Sequence, residues 1–208
     1  MNLFDQIVLL LTGLTAVYLI VRFFQDNKGG CKSYNLYYII SFVVLLVSGL
    51  LLIFFGYDVL ENPLVVVVAY LIPLGISLGL VAEFYSNKAN LYLVFGIIGL
   101  ILIFLTRVVW TNVGGIATII LVIFHSIAGL IIFLAPIFVT SAKKAPKGFI
   151  WVTVGGALIG LGGISLAFLK TGKQLLFFSH DFVFTILAPL LLLMTLAYTY
   201  GFMKKIKA

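Results

Sequence analysis

The feature that most constrains this chain is its apolar run Ala117–Pro136, which reads ATIILVIFHSIAGLIIFLAP. A helix rises about 1.5 Å per residue, so a run of 20 residues is long enough to cross the roughly 30 Å hydrocarbon core of a bilayer. His125, near the middle of the run, is its only ionisable residue. Because a titratable group at that depth is costly, its presence is the most informative single fact in the sequence.

The rest of the chain is equally poor in charge. Of its 208 residues, 63% are hydrophobic and only 9% are charged, and the mean hydropathy is +1.28. In a soluble domain about a quarter of the residues are charged, which is what a water-facing surface requires. The composition therefore predicts one integral membrane domain over residues 1–208, with the lipid bilayer as its surroundings.

Seven apolar segments, separated by short polar loops, predict an all-α bundle of seven transmembrane helices. Because the loops are short, we expect consecutive helices to be neighbours that alternate in direction. Pro63 suits the first turn of the third helix, where its missing N–H has no helical partner in any case. The predicted spans are residues 3–24, 34–55, 63–84, 91–106, 115–139, 149–169 and 175–203.

The distribution of Lys and Arg residues predicts the orientation of the bundle. Seven spans put the two termini on opposite sides of the membrane, and a strong excess of basic residues marks the cytoplasmic side. The excess lies on the side of the C-terminus, which predicts a multi-pass plasma-membrane protein with its N-terminus outside and its C-terminus in the cytoplasm. That side would hold Arg22, Lys28, Lys32, Lys88, Lys143, Lys144, Lys147, Lys204, Lys205 and Lys207, and the outer side Arg107, Lys170 and Lys173.

Several kinds of chemistry are not favoured by the sequence. The net charge of +7 does not indicate a nucleic-acid partner, because the basic residues are scattered among loops and form no basic helix. Cys31 is the single cysteine, which excludes an intramolecular disulfide and a multi-cysteine metal site. Glu83 and Arg22, near the inner ends of the third and first helices, are expected to mark the interface or to pair with each other.

An internal duplication is suggested by an offset of 116 residues. Pro73–Leu74 aligns at this offset with Pro189–Leu190, and Gly13–Leu14 aligns with Gly129–Leu130. Helices 1 to 3 would then repeat in parallel as helices 5 to 7, with helix 4 as the linker, an arrangement that occurs in some transporters. The competing explanation is chance, because apolar helices of equal length align easily.

Small residues and prolines predict where helices pack closely or bend. Gly156 and Gly160 in the sixth helix, and Gly75 and Gly79 in the third, are four residues apart. This spacing lets helix backbones approach each other in lipid. Prolines within spans are expected to kink their helices; they are Pro73, Pro136 and Pro189.

The candidate site residues are the two histidines. His125 lies deep in the fifth span, and His180 lies in the segment Phe178–Asp181 near the outer end of the seventh. A neutral imidazole at such a place can ligate a haem iron, hydrogen-bond a quinone or relay a proton. We therefore predict both histidines as cofactor-binding residues and metal ligands, with haem b or a quinone as the candidate cofactor at His125. The alternative is a structural role, in which each imidazole is satisfied by the neighbouring helix.

A haem shared by both histidines would require them to lie at similar depths. His125 is about 15 Å past the start of its helix at Gly115, and His180 is about 8 Å past a start at Leu175. The mismatch of about 7 Å counts against a shared haem, although helix tilt is of the same order.

The polar residues in the middle of the spans are nearly all neutral hydroxyls, which does not favour transport of charged solutes. We therefore predict a non-catalytic integral membrane subunit, part of an electron-transfer or other energy-conserving assembly, with other membrane subunits as partners. The alternative is a small transporter built from parallel three-helix repeats. A third hypothesis, an intramembrane enzyme acting on lipid, rests only on Ser179, His180 and Asp181, which point in directions about 100° apart on a helix.

Overall fold

The computed structural model describes residues 1–27, 30, 32–110, 112–170 and 179–207, and of residues 166–170 and 180 it describes the backbone alone. All regular structure in these residues is helical. Seven of their helices are long and apolar enough to cross a membrane. The predicted fold class is therefore confirmed, and the protein is an all-α, multi-pass integral membrane protein.

The seven helices follow the predicted spans closely. They are α1 (Leu3–Asp26), α2 (Ser33–Phe55), α3 (Pro63–Phe84), α4 (Ser86–Phe104), α5 (Gly115–Ser141), α6 (Trp151–Lys170) and α7 (His180–Ile206). Three short turns adjoin them, namely a 3-10 turn Tyr57–Glu61 before α3, a π-turn Leu105–Val109 after α4 and a 3-10 turn Lys147–Ile150 before α6.

The starts of α3 and α7 are among those with a side-chain cap. Pro63 occupies the first turn of α3, as predicted, and the side chain of Asn62 accepts a hydrogen bond from the Leu64 N–H at 2.9 Å. Ser179 caps α7, because its Oγ accepts a hydrogen bond from the Phe182 N–H at 3.3 Å. Each cap satisfies a backbone donor that has no partner within the helix.

Helix α4 differs most from its prediction over residues 91–106. It begins at Ser86, and the π-turn extends it to Val109. Its first turn contains the exposed polar residues Ser86, Asn87 and Lys88. These side chains can be solvated at the membrane surface, so the helix extends beyond the apolar run. The predicted start of α7 at Leu175 lies outside the described residues.

Six helices form a ring in the order α1, α2, α3, α5, α6 and α7, and α7 packs back against α1. Helix α4 lies outside the ring, against α3 and α5. The packing order within α1–α2–α3 is the same as that within α5–α6–α7, and the pair α1–α7 corresponds to the pair α5–α3. Consecutive helices are neighbours throughout, as the short loops predict.

The inner half of the ring, on the side of the C-terminus, is filled by an apolar core. Aromatic rings dominate it: the Phe23 centroid lies 5.0 Å from that of Tyr38 and 5.2 Å from that of Phe202. Toward the outer end the packing divides into two clusters. One lies among α3, α4 and α5 around Tyr70, and the other lies among α1, α2 and α7 around Leu9.

Candidate functional site

His125 lies where helices α3, α5 and α6 meet. It is ten residues past Gly115, which places it about 15 Å from the outer end of α5. Its half-buried imidazole has its centroid 6.5 Å from that of the Tyr70 ring on α3. The Nε2 atom faces α6, because a Cβ built on Gly163 would lie 3.6 Å from it.

The polar atoms of this pair are not satisfied by the described residues. Tyr70 is 1% exposed, and its buried hydroxyl has no hydrogen-bond partner in the described part of the chain. None of the hydrogen bonds between described residues involves the His125 imidazole. A buried polar group without a partner is costly, so this is a place where a ligand would bring a gain in free energy.

The seam between α5 and α6 is closed toward its inner end. The Thr153 hydroxyl crosses it and donates to the Phe133 carbonyl at 2.8 Å. One turn further out, a Cβ added at Gly156 would lie 2.8 Å from Ile132 Cγ2. Gly156 therefore acts as the predicted close-packing glycine.

The same seam is open at the next level toward the outer side. A Cβ added at Gly129 on α5, or at Gly160 on α6, would meet no atom within 4 Å. Both glycines are partly exposed, so the space is reached from the surface of the bundle. Gly129 is one turn from His125 on the same face of α5. The opening therefore lies next to the imidazole, at a depth that only lipid-soluble molecules reach.

His180 is the first residue of α7, and its side chain lies outside the described part of the chain. Helix α7 packs mainly against α6 and α1. Measured along their helices, His180 lies about 15 Å nearer the outer end than His125, more than the roughly 7 Å expected from the sequence. Among the described residues there is no group of three or more His, Cys, Asp or Glu side chains that could hold a metal ion.

A second polar site, which was not predicted from the sequence, lies at the inner end of the ring. Lys205 Nζ on α7 lies 2.7 Å from both carboxylate oxygens of Glu83 on α3. The two side chains are 11% and 12% exposed. The Tyr38 hydroxyl on α2 donates to Glu83 Oε2 at 2.9 Å. This triad joins three helices of the ring.

Of the two alternatives for Glu83 and Arg22, the one in which they pair with each other is wrong. Arg22 donates instead to the Gln25 side chain at 2.9 Å, on the exposed side of α1. The reason is the face that α1 turns inward: the neighbouring Phe23 is fully buried in the ring, and Arg22 is rotated about 100° from it.

Aromatic rings surround the Lys205 ammonium group. Its Nζ lies between 5.1 and 5.9 Å from four ring centroids, within the range of cation–π attraction. These rings and the carboxylate stabilise a charge that burial would otherwise disfavour. The rings belong to Tyr34, Tyr38, Phe149 and Phe202.

A third pair ties α1 to the start of α2. Lys32 Nζ lies 2.9 Å from Asp26 Oδ1. The hydrogen bond that the Lys32 ammonium group donates to Asp26 raises the pKa of Lys32 above its usual value. The buried Asn35 side chain donates to the other oxygen of Asp26 at 2.8 Å. The inner ends of the first two helices are thus held together by charge-assisted hydrogen bonds.

Fold and site together define a seven-helix integral membrane protein with a histidine at mid-depth and a buried ion pair at its inner end. Comparison of the chain with protein-family models, with curated proteins and with solved structures finds no match.

Proposed function

We propose that this protein is a non-catalytic membrane subunit of an electron-transfer or other energy-conserving assembly, and that it holds a quinone or haem b at His125. One observation carries the proposal: the His125 imidazole and the unpartnered Tyr70 hydroxyl lie together beside an opening in the α5–α6 seam. No charged side chain is needed by such a ligand, and its apolar part would remain in lipid.

The two polar groups suit these ligands in different ways. A quinone carbonyl would accept a hydrogen bond from the imidazole N–H or from the Tyr70 O–H. A haem iron would bind the imidazole nitrogen itself; Nε2 faces Gly163 on α6, where a Cβ would lie in van der Waals contact at 3.6 Å, so α6 would have to move aside for a haem. Either ligand would enter from the bilayer past Gly129 and Gly160.

His180 is the second cofactor contact in this proposal. Its backbone lies at the start of α7, about 15 Å nearer the outer surface than His125 along the helix axes. We therefore expect it to act independently of His125, on a ligand near the membrane surface, rather than as the second axial ligand of one shared haem.

The proposal is tested by the ligand that the protein retains. Protein purified in mild detergent with native lipid is extracted with organic solvent, and haem b and quinones are measured per mole of protein. We expect one of them at near-equimolar amount, and a loss of about tenfold in His125→Ala, as removal of one strong polar contact implies. Ser126→Ala, a change of the exposed neighbour on α5, should retain the ligand. Absence of both cofactors from wild-type protein, even after reconstitution, would reject the proposal.

A small transporter is the second candidate. Its support is the matched packing order of α1–α2–α3 and α5–α6–α7, as parallel repeats would give. The aromatic core that fills the inner half of the ring argues against it, because a solute would have to displace these rings. Uptake of small neutral solutes into proteoliposomes tests it: saturable uptake supports transport, and rates equal to those of protein-free liposomes reject it.

A further inference from the structure

A cavity of about 300 Å³ opens at the outer end of the bundle. It lies between the start of α3, the end of α4 and the start of α5, at the opposite end of α3 from the Glu83–Lys205 ion pair. It is separate from His125, which lies deeper in α5. The residues that line it include Glu61, Pro63, Arg107, Gly114 and Ala117.

Arg107 provides the positive charge of this cavity. It belongs to the π-turn Leu105–Val109, whose wider turn is closed by the Trp110 N–H donating to the Leu105 carbonyl at 2.7 Å. Its only hydrogen bond to a described residue is one from Nη2 to Thr118 Oγ1 at 3.3 Å. The buried Nε has no partner in the described part of the chain. Turns of this kind are frequent at functional sites.

The charge of Arg107 is also not neutralised by a described carboxylate, since none lies within ion-pair distance of it. A guanidinium group has five N–H donors in a planar fork that matches the oxygens of a phosphate group. Arg107 lines the cavity, and because Nη2 is only weakly bonded, the terminal Nη groups of its guanidinium are available to bind an anion there.

The start of α5 adds to the same positive potential. Gly114 and Ala117 line the cavity, and no side chain caps this end of the 27-residue helix. Gly114 has φ of +52°, a conformation that side chains disfavour. The Ile116 N–H at this end donates to the Val113 carbonyl at 3.2 Å, and the helix dipole adds positive potential here with no side-chain acceptor to compete for an anion.

Glu61 gives the cavity its second charge. It is exposed at the end of the 3-10 turn before α3, and it makes no ion pair with Arg107. A ligand that carries an ammonium group close to its phosphate could bind Arg107 through the phosphate and Glu61 through the ammonium group. Trp110, which is 50% exposed, lies three residues beyond Arg107, and tryptophans are typical of the membrane interface. The cavity therefore lies at the depth of lipid headgroups.

We propose that this cavity binds a phosphate group that carries an ammonium group next to it. Arg107 and the start of α5 bind the phosphate, and Glu61 binds the ammonium group. Two sources supply this chemistry, a phosphatidylethanolamine headgroup of the outer leaflet and free phosphoethanolamine. The site is independent of any ligand at His125.

The test uses the full-length protein in nanodiscs that contain phosphatidylethanolamine, phosphatidylglycerol or phosphatidylcholine, with bound lipid counted by native mass spectrometry. We expect preferential retention of phosphatidylethanolamine, reduced about tenfold or more in Arg107→Gln, because a charge-assisted hydrogen bond is lost. Glu61→Gln should remove the preference over phosphatidylglycerol while retaining phosphatidylglycerol itself. Arg22→Gln, at the inner end, is the matched control and should change neither.

Free phosphoethanolamine, titrated into the protein in detergent, distinguishes the two sources. Saturable binding that displaces the retained lipid assigns the site to the soluble ligand as well, and absence of binding assigns it to the lipid. Equal lipid retention in wild type and Arg107→Gln would overturn the proposal. If Arg107→Gln does not fold, Arg107→Lys decides instead, since it keeps the charge but loses the planar fork; unchanged retention in that variant would also overturn it.

Discussion

Lys205 shows how a single residue can carry a charge inside an apolar bundle. Removal of an ammonium group from water is costly, and the cost is offset only where a counter-charge and further contacts are in place. Glu83 provides the counter-charge at 2.7 Å, and the Tyr38 hydroxyl satisfies the carboxylate from the other side. The pair joins α3 to α7, two helices that are not neighbours in the ring, and thereby closes its inner end.

Glu83→Gln is predicted to destabilise the protein by about 3 kcal/mol or more, because it leaves the Lys205 charge buried without its partner. The measurement is thermal unfolding in detergent, compared with wild type. The adjacent Lys204→Met is the control: Lys204 is exposed and lies over the Tyr200 ring at 5.2 Å, so a loss below about 1 kcal/mol is expected. The double variant Glu83→Gln with Lys205→Met should recover stability, and equal losses in all variants would disprove a specific ion pair.

The hydrogen bond between Lys32 and Asp26 is expected to make the stability of the folded protein decrease at alkaline pH. The pKa of Lys32 is raised in the folded protein because Asp26 accepts its hydrogen bond. A lysine whose pKa is higher in the folded than in the unfolded protein contributes its full stabilisation of the folded state at pH values below its unfolded pKa, which is about 10.4. That contribution is lost as the pH rises through the folded value. Between pH 9 and 11.5 the wild type should lose slightly more stability than Lys32→Met, by less than about 1 kcal/mol, since Lys32 is half-exposed. Parallel curves for the two proteins would refute the coupling.

At the scale of the helices, glycines determine how closely neighbours approach, and they do so unequally. A Cβ at Gly201 on α7 would lie 2.9 Å from the Val152 backbone nitrogen on α6, whereas one at Gly160 would meet nothing within 4 Å. Backbone cannot move aside as a side chain does. The same substitution should therefore have opposite effects at the two sites.

Gly201→Ala is predicted to destabilise the protein by about 1–3 kcal/mol through overpacking. Gly160→Ala should be neutral or stabilise by up to about 1 kcal/mol, because alanine favours the helix and fills open space. Unfolding of both variants under the same detergent conditions provides the comparison. A larger loss at Gly160 than at Gly201 would show that the α5–α6 seam is closed where we describe it as open.

The sequence predicts the existence of the seven helices well, but not which face each helix turns inward. Length and hydropathy alone identify a span, and they placed all seven. Facing directions require an amphipathic pattern, and in a bilayer the lipid-facing side is as apolar as the core. This is why Arg22 was expected near Glu83, although Phe23 is the residue of α1 that faces the ring. The partnership of Glu83 with Lys205, 122 residues away, depends on ring closure, which no local pattern encodes.

Part of the candidate site could be predicted from the sequence. His125 stands out because it interrupts an apolar run, and its depth follows from counting residues along α5. Its neighbours could not be predicted in this way, since Tyr70 and Gly163 come from helices whose packing order must be known first. The π-turn at Arg107 was equally hidden, because a single extra residue in a helical turn leaves no mark on hydropathy.

At the scale of the whole molecule, the orientation in the membrane is a prediction from charge. The basic residues at the inner end predict a cytoplasmic C-terminus. A green fluorescent protein fused after residue 208 should fluoresce, and alkaline phosphatase fused there should be inactive. The same reporters inserted between α4 and α5 should give the reverse result. Identical reporter behaviour at both positions would contradict seven spans.

The central claim is that His125 contacts a lipid-soluble cofactor at mid-depth. The most direct measurement is a titration of ligand-free protein in nanodiscs with haem, followed by absorbance, and with a short-chain quinone, followed by tryptophan quenching. Saturable binding of one ligand is predicted for the wild type, with affinity about tenfold weaker in His125→Ala and unchanged in Ser126→Ala. Equal affinity in all three proteins, or no binding of either ligand, would contradict it.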